Sequence, residues 1–181
     1  MSVTLGELAP DFTLFASTGE AVKLSDYRGK NVVLYFYPKD MTPGCTTQAC
    51  DFRDQHDRFS EVNAVIIGIS PDPIKRHEKF IEKYDLPFIL LADEEHKAAE
   101  AFDVWKLKKN FGKEYMGIER STFIIDKDGK LVKEWRKVKV KGHVERSATI
   151  YSGKSFIILN CSHNRLLVFA YFFINKASVH S

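Results

Sequence analysis

Two cysteines stand five residues apart in Thr42-Pro43-Gly44-Cys45-Thr46-Thr47-Gln48-Ala49-Cys50. Residues of this kind do sulfur chemistry: a thiolate attacks an electrophile, and a second thiol can close a disulfide on the first. The local residues favour such a role for Cys45. Thr42 is a good helix N-cap, because its hydroxyl can accept from backbone N–H groups without partners in the first turn. Pro43 then falls at the first helical position, where its missing N–H costs nothing. Gly44 lets backbone and small ligands come close, and Cys45 becomes the third helical residue, where the positive end of the helix dipole favours an anion. A free cysteine titrates near pH ~8.5, and helix N-termini and nearby cations lower that value. The sequence therefore predicts a thiolate at Cys45 at neutral pH, in a position to be ionised, exposed and attacked.

Cys50 lies on the same predicted helix. Five residues advance about 500°, which leaves the two side chains about 140° apart around the axis. With a rise of about 7.5 Å and a radius of about 2.3 Å, the two Cα atoms lie roughly 8.6 Å apart. Disulfides rarely tolerate more than about 7 Å. The pair cannot bridge while the helix is intact, so any disulfide between them requires the first turns to unwind.

Positioning these sulfurs needs a strand before them and a core beneath them. Val32, Val33, Leu34, Tyr35 and Phe36 form a continuous apolar run, consistent with a buried central strand, and the turn signals Tyr37-Pro38-Lys39-Asp40 lead from it to the cysteine helix. That helix is expected over 45–59, with Phe52 and Phe59 on its buried face and Arg53, Asp54, Asp57 and Arg58 mostly solvated. Residues 12–24 alternate around Ser17-Thr18-Gly19-Glu20 and read as a hairpin. A second buried strand is expected at 64–70. A helix follows from Pro73 to about Tyr84, with Ile74, His77, Phe80, Ile81 and Tyr84 at helical spacing. Pro87 stops it. A short strand at 88–92, a helix at 94–102, a long loop at 105–119 and a hairpin of 122–126 with 131–137 complete the reading. Strands alternating with helices give an α/β layered fold.

The chain has 181 residues and 44% apolar residues, enough for a real core. Charged residues at 28% indicate a soluble surface. The net charge of +3 is too small to argue for nucleic acid. Three cysteines do not make a disulfide scaffold, and the first residues lack the basic start and apolar core of a signal peptide. The expectation is a reducing, cytoplasmic compartment, where a cysteine pair is catalytic or redox-sensing rather than structural.

The chain resembles the peroxiredoxins, and among them the bacterioferritin comigratory protein or peroxiredoxin Q subgroup. The family pattern Pro-x-x-x-Thr/Ser-x-x-Cys stands here as Pro38, Thr42 and Cys45, and the subgroup's second cysteine as Cys50. Ala9-Pro10-Asp11-Phe12, Gly29-Lys30-Asn31-Val32, Ala49-Cys50-Asp51-Phe52-Arg53-Asp54 and Gly117-Ile118-Glu119-Arg120-Ser121-Thr122-Phe123 extend the likeness over roughly residues 3–145. The resemblance implies a thioredoxin-like fold, a central mixed sheet flanked by helices. It implies a thiol-dependent peroxidase acting on hydrogen peroxide and organic hydroperoxides. Cys45 would be the peroxidatic cysteine that becomes a sulfenic acid, and Cys50 the resolving cysteine that condenses with it. Thr42 would hydrogen-bond the peroxide, Arg120 would hold the thiolate and the leaving oxygen, and Pro38 would shield the site. An arginine suits that task because it stays charged and presents a rigid fork of donors. Electrons would come from thioredoxin or a similar dithiol. No metal, haem, flavin or other cofactor is implied, and no nucleic acid or membrane partner; a monomer or weak dimer is expected.

The chain departs from the family after Gly142-His143-Val144-Glu145. The resemblance calls for a closing amphipathic helix there, and the sequence reading ends the domain at 145 and assigns 146–181 to an atypical tail. Residues 147–181 hold three of the basic residues and none of the acidic ones. The expectation is a tail born of a frameshift, a read-through or a mis-set gene end. Its apolar run at 166–174 has nine residues, against roughly 20 needed to span a bilayer, and reads as sticky and β-prone. Cys161 is read as incidental.

Blander and rival readings bear on the same residues. A zinc site from Cys45 and Cys50 lacks the second ligand pair that structural zinc requires. His56, His77 and His96 read as structural or solvated, Trp105 and Tyr115 as loop packing or pocket lining, and Glu94, Glu95 and 106–109 as solvated surface. The alternative function is a redox-switched binding protein that senses peroxide. A general disulfide reductase would show Cys-x-x-Cys, and the spacing here is longer by two.

Overall fold

The apolar run at 32–36 forms β3 (Asn31–Phe36), and its alternation organises the molecule. Successive strand side chains point to opposite faces. Val32, Leu34 and Phe36 therefore enter one core, and Val33 and Tyr35, with Tyr37 just beyond the strand, enter another. With both faces covered, the strand carries no polar alternation. The structure is a computed structural model that describes residues 3–110 and 112–151.

Around β3 lie β1 (Thr13–Ala16), β2 (Ala21–Lys23), β4 (Ala64–Ser70), β5 (Ile89–Ala92), β8 (Ser121–Ile125) and β9 (Leu131–Trp135). Their order in one seven-stranded sheet is β2-β1-β5-β4-β3-β8-β9. The β3–β4 and β4–β5 pairs are parallel and the others antiparallel, so the sheet is mixed. Gly68 on β4 is required by packing: a Cβ there would stand 2.6 Å from Leu90 Cδ2 and 2.7 Å from the Tyr35 ring.

The second core gathers residues of α1 (Pro43–Asp54), α2 (His56–Ser60), α3 (Ile74–Tyr84) and α5 (His143–Tyr151), while α4 (Lys97–Ala101) supplies Ala98 and Ala99 to the first. The expected helix at 45–59 is two helices, parted at Gln55, whose φ of −110° and ψ of 10° leave the helical range. Phe52 and Phe59 are buried as their spacing predicts. Arg53 is not simply solvated: its guanidinium donates to the Tyr84 carbonyl at 2.8 Å, tying α1 to the end of α3. The helix expected at 94–102 is shorter, because Asp93 accepts the N–H groups of Ala98 and Ala99 and starts the helix late.

The largest correction concerns 105–119, read from sequence as a loop. It is a separate antiparallel pair, β6 (Trp105–Asn110) with β7 (Lys113–Ile118). Lysines and exposed apolar residues fall on both of its faces, so it shows no clean alternation to read. The end of the domain also differs from the reading. Residues 146–151 continue α5, with Ser147 and Ala148 buried beside Val144. The rest of the stretch assigned to the tail, including Cys161 and 166–174, lies outside the described residues. Among the described residues, no helix is long and apolar enough to cross a membrane.

Candidate active site

The β3-to-α1 connection delivers the candidate residues. Pro38 is half-buried in it. Met41 then adopts a φ of 60°, a left-handed conformation that costs a residue with a side chain roughly 1–2 kcal/mol. Thr42 follows as the N-cap, with φ −81° and ψ 150°, and Pro43 takes the first helical position as expected. One detail differs. The Thr42 hydroxyl does not cap the helix but donates to the Lys39 carbonyl at 3.0 Å. The Thr42 carbonyl still accepts the first helical bond, from Thr46 N at 2.8 Å. A Cβ on Gly44 would lie 3.5 Å from Arg120 Nη2, an ordinary contact, so close approach does not demand glycine there.

Cys45 is the third helical residue, as its spacing predicts, but it is not exposed: only 2% of its surface reaches solvent. The reason is the helix face. Cys45, Gln48, Ala49 and Phe52 are the buried residues of α1 and follow the i, i+3, i+4, i+7 rule. That stripe lies on β3, where the sulfur joins the core that holds Tyr35 and Tyr37. Burial pushes the Tyr35 phenol well above its ordinary value, with the Asp40 and Cys45 charges adding to the effect.

Arg120 comes from the short link between β7 and β8, 75 residues along the chain. Its Nη2 donates to Cys45 Sγ at 3.2 Å, and its Nη1 donates to Gln48 Oε1 at 2.5 Å. The rigid guanidinium fork thus holds the sulfur and a helix amide together. The sequence reading missed Gln48. Its signal was present: a polar residue one turn after Cys45, inside an otherwise apolar buried stripe. Its Nε2 is buried without a hydrogen-bond partner.

Cys50 is half-buried and free, as is Cys45 free. Both sit within the one unbroken stretch of α1. Beside the site, Lys106, Leu107, Lys108, Lys109, Tyr115, Glu119 and Lys137 line an open groove of about 690 Å³. Lys106 and Lys108 are half-buried rather than solvated. The Lys108 ammonium is held below its ordinary pKa, first by burial and then by the Arg120 charge. Tyr115 lines this groove, whereas Trp105 stacks on His96 at 3.7 Å. His77 is fully buried against Asp40, and His56 lies 4.0 Å from Asp57. Among the described residues, no group of three or more His, Cys, Asp or Glu side chains could hold a metal ion.

Known proteins match this arrangement. The AhpC/TSA family profile matches residues 5–134. Peroxiredoxin Bcp of Bacillus subtilis is 72% identical over 144 residues, which cover 80% of this chain and 92% of that protein. A putative peroxiredoxin bcp of Coxiella burnetii is 51% identical, covering 80% of this chain and 95% of that one. Among solved structures, the bacterioferritin comigratory protein of Xanthomonas campestris, described for its alkyl peroxide reduction activity, aligns with a TM-score of 0.77 and 39% identity. The alignment covers 83% of this chain and 96% of that one. The thioredoxin-like fold expected from the resemblance is the fold these relatives share with this chain.

Proposed function

The chain belongs to the AhpC/TSA family and is a peroxiredoxin, and on that premise we propose that Cys45 is the sulfur with which it reduces peroxides. The observation that carries the reading is the 3.2 Å contact of Arg120 Nη2 with Cys45 Sγ at the N-terminal turn of α1. A fixed cation and a helix's positive end both face the one sulfur, and both stabilise negative charge.

In the proposed reaction the Cys45 thiolate attacks the near oxygen of the peroxide. An S–O bond forms, the O–O bond breaks, and the leaving oxygen departs as water or an alcohol after taking a proton. Arg120 donates to the charge that develops, beside a cysteine of which only 2% reaches solvent. Thr42 orients the incoming peroxide and Pro38 covers the pocket. The product is a sulfenic acid on Cys45. The Cys50 thiol then displaces its hydroxyl as water to give a Cys45–Cys50 disulfide. The family's chemistry calls for a thiol reductant, which we take to be thioredoxin or a similar dithiol. Two electrons and two protons from it restore both thiols. We further propose a monomer or weak dimer, acting in the cytoplasm on hydrogen peroxide and organic hydroperoxides without a cofactor.

A coupled assay with thioredoxin and its reductase tests this. Cys45→Ser is expected to abolish peroxide turnover. Cys50→Ser is expected to consume one equivalent of peroxide and then stop. Steady cycling by Cys45→Ser would sink the assignment. A Cys45–Cys50 disulfide that forms but resists every dithiol would favour the peroxide-sensing alternative.

A further inference from the structure

Beneath the loop that carries Thr42 lies a polar cluster that the proposed reaction does not use. Asp40 and His77 are both wholly buried, and His77 Nδ1 stands 2.7 Å from Asp40 Oδ2. The other carboxylate oxygen accepts the Tyr37 hydroxyl at 2.5 Å. The Asp40 backbone is tied just as fully. Its N–H donates to Asp72 Oδ2 at 2.6 Å, and its carbonyl accepts from Arg76 Nη2 at 3.0 Å. Asp72 is itself held by the Ser70 hydroxyl at 2.9 Å and paired with Arg76 at 3.2 Å. Every hydrogen-bonding group of Asp40 thus has a partner on β4, α3 or the connection between them, or on Tyr37.

The geometry also assigns protons. His77 Nε2 lies 3.2 Å from the Leu91 carbonyl, which can only accept, so that nitrogen carries hydrogen. One further proton lies between Nδ1 and the carboxyl. The pair is therefore neutral as a whole whichever atom holds the shared proton, and it remains satisfied inside the core.

From this geometry we propose that Asp40 and His77 form a buried latch that positions Thr42 for the peroxide. The inference rests on the peroxidase reading of Cys45. Asp40 is followed by Met41 in the left-handed region and then by the N-cap. With Asp40 clamped at every polar group, the strained Met41 has one course, and Thr42 is delivered to one place. Asp40 and His77 are positioning residues: they act on the loop and not on the sulfur, which is held separately by Arg120.

The test compares two reactions of Cys45 in the full chain, oxidation by hydrogen peroxide and alkylation by iodoacetamide. Alkylation reads the sulfur and its access; oxidation also needs the Thr42 hydroxyl in place. His77→Leu and Asp40→Ala are each expected to slow oxidation by about tenfold or more and to change alkylation by less than about twofold. The double variant is expected to be no slower than either single one, because both break the same latch. Asp40→Asn, whose amide can donate to Nδ1 and accept the Tyr37 hydroxyl, is expected to retain most of the rate. Oxidation within twofold of the parent in folded His77→Leu overturns the proposal, as does a parallel fall in both reactions. Should these variants fail to fold, Tyr37→Phe removes one bond to Asp40 with little change in volume. It is expected to slow oxidation about threefold and leave alkylation alone, and an unchanged oxidation rate would again overturn the latch. If the parent's own Cys45 does not react with peroxide, the peroxidase reading fails and the latch is not what failed.

Discussion

Cys45 and Cys50 share one helix, and their surroundings differ in kind. Cys45 lies at the positive end of α1, buried on the sheet, with a guanidinium aimed at its sulfur. Cys50 lies about a turn and a half further on, half-buried, with no hydrogen bond to its sulfur described. One sulfur sits in a site built from two stretches of chain 75 residues apart; the other is half-buried further along the same helix. The difference teaches that the first step of the proposed chemistry is pre-organised. The second is not, because it requires the helix holding both residues to come apart.

Breaking the built side of this comparison has the largest expected effect. Arg120→Ala is expected to slow Cys45 oxidation by roughly 10²–10³-fold, the usual scale for losing one aimed donor. Stopped-flow oxidation with hydrogen peroxide measures it, and a loss of less than fivefold would place the site's power elsewhere.

Acid tests the packing that surrounds Cys45. His143 on α5 is buried, accepts or donates at Thr122 Oγ1 over 2.8 Å, and packs edge-on to Trp135. Burial, with Arg146 and Arg120 nearby, lowers its pKa from 6.5 to about 4. The unfolded chain therefore takes up this proton before the folded one does. The stability it contributes is complete above pH 6.5, drains away as pH falls toward 4, and is gone below that. A shift of this size corresponds to about 3 kcal/mol. Urea unfolding at pH 7, 5.5 and 4 should show the fall, and His143→Gln should flatten it. An equal slope in that variant would assign the acid sensitivity to other groups.

The smallest expected effect sharpens the comparison from the Cys50 side. Thr47 is exposed between the two cysteines, and its hydroxyl bonds back to the Pro43 carbonyl at 3.0 Å. Thr47→Ala should firm the helix by about 0.6 kcal/mol. If unwinding precedes the disulfide, closure slows by up to about threefold while oxidation of Cys45 keeps its rate. Mass analysis of quenched samples separates the two steps. Faster closure in the alanine variant would mean that the helix does not need to open.

Much of this was legible along the chain. The run at 32–36 and the strand at 64–70 announce themselves because strands buried on both faces are apolar throughout. Thr42, Pro43 and Cys45 announce themselves because helix starts obey local rules. The hairpin at 105–118 did not, since a two-stranded pair with mixed faces carries no period. The burial of Cys45 was half-legible: its stripe with Ala49 and Phe52 points inward, yet expecting a reactive thiol suggested exposure. Asp40 and His77 gave no sign of each other, because 37 residues and a whole strand separate them.

The sequence by itself determined which residue starts the helix, which sulfur sits at its positive end, and that an intact helix keeps Cys45 and Cys50 from bridging. These follow from backbone geometry within a few residues. Only the tertiary structure decided that Arg120 reaches Cys45, that Gln48 shares it, and that Asp40 is fastened to His77. Such partners meet because the parallel pairing of β3 with β4 and the antiparallel pairing of β3 with β8 bring distant segments to one end of the sheet, and no local rule encodes that pairing.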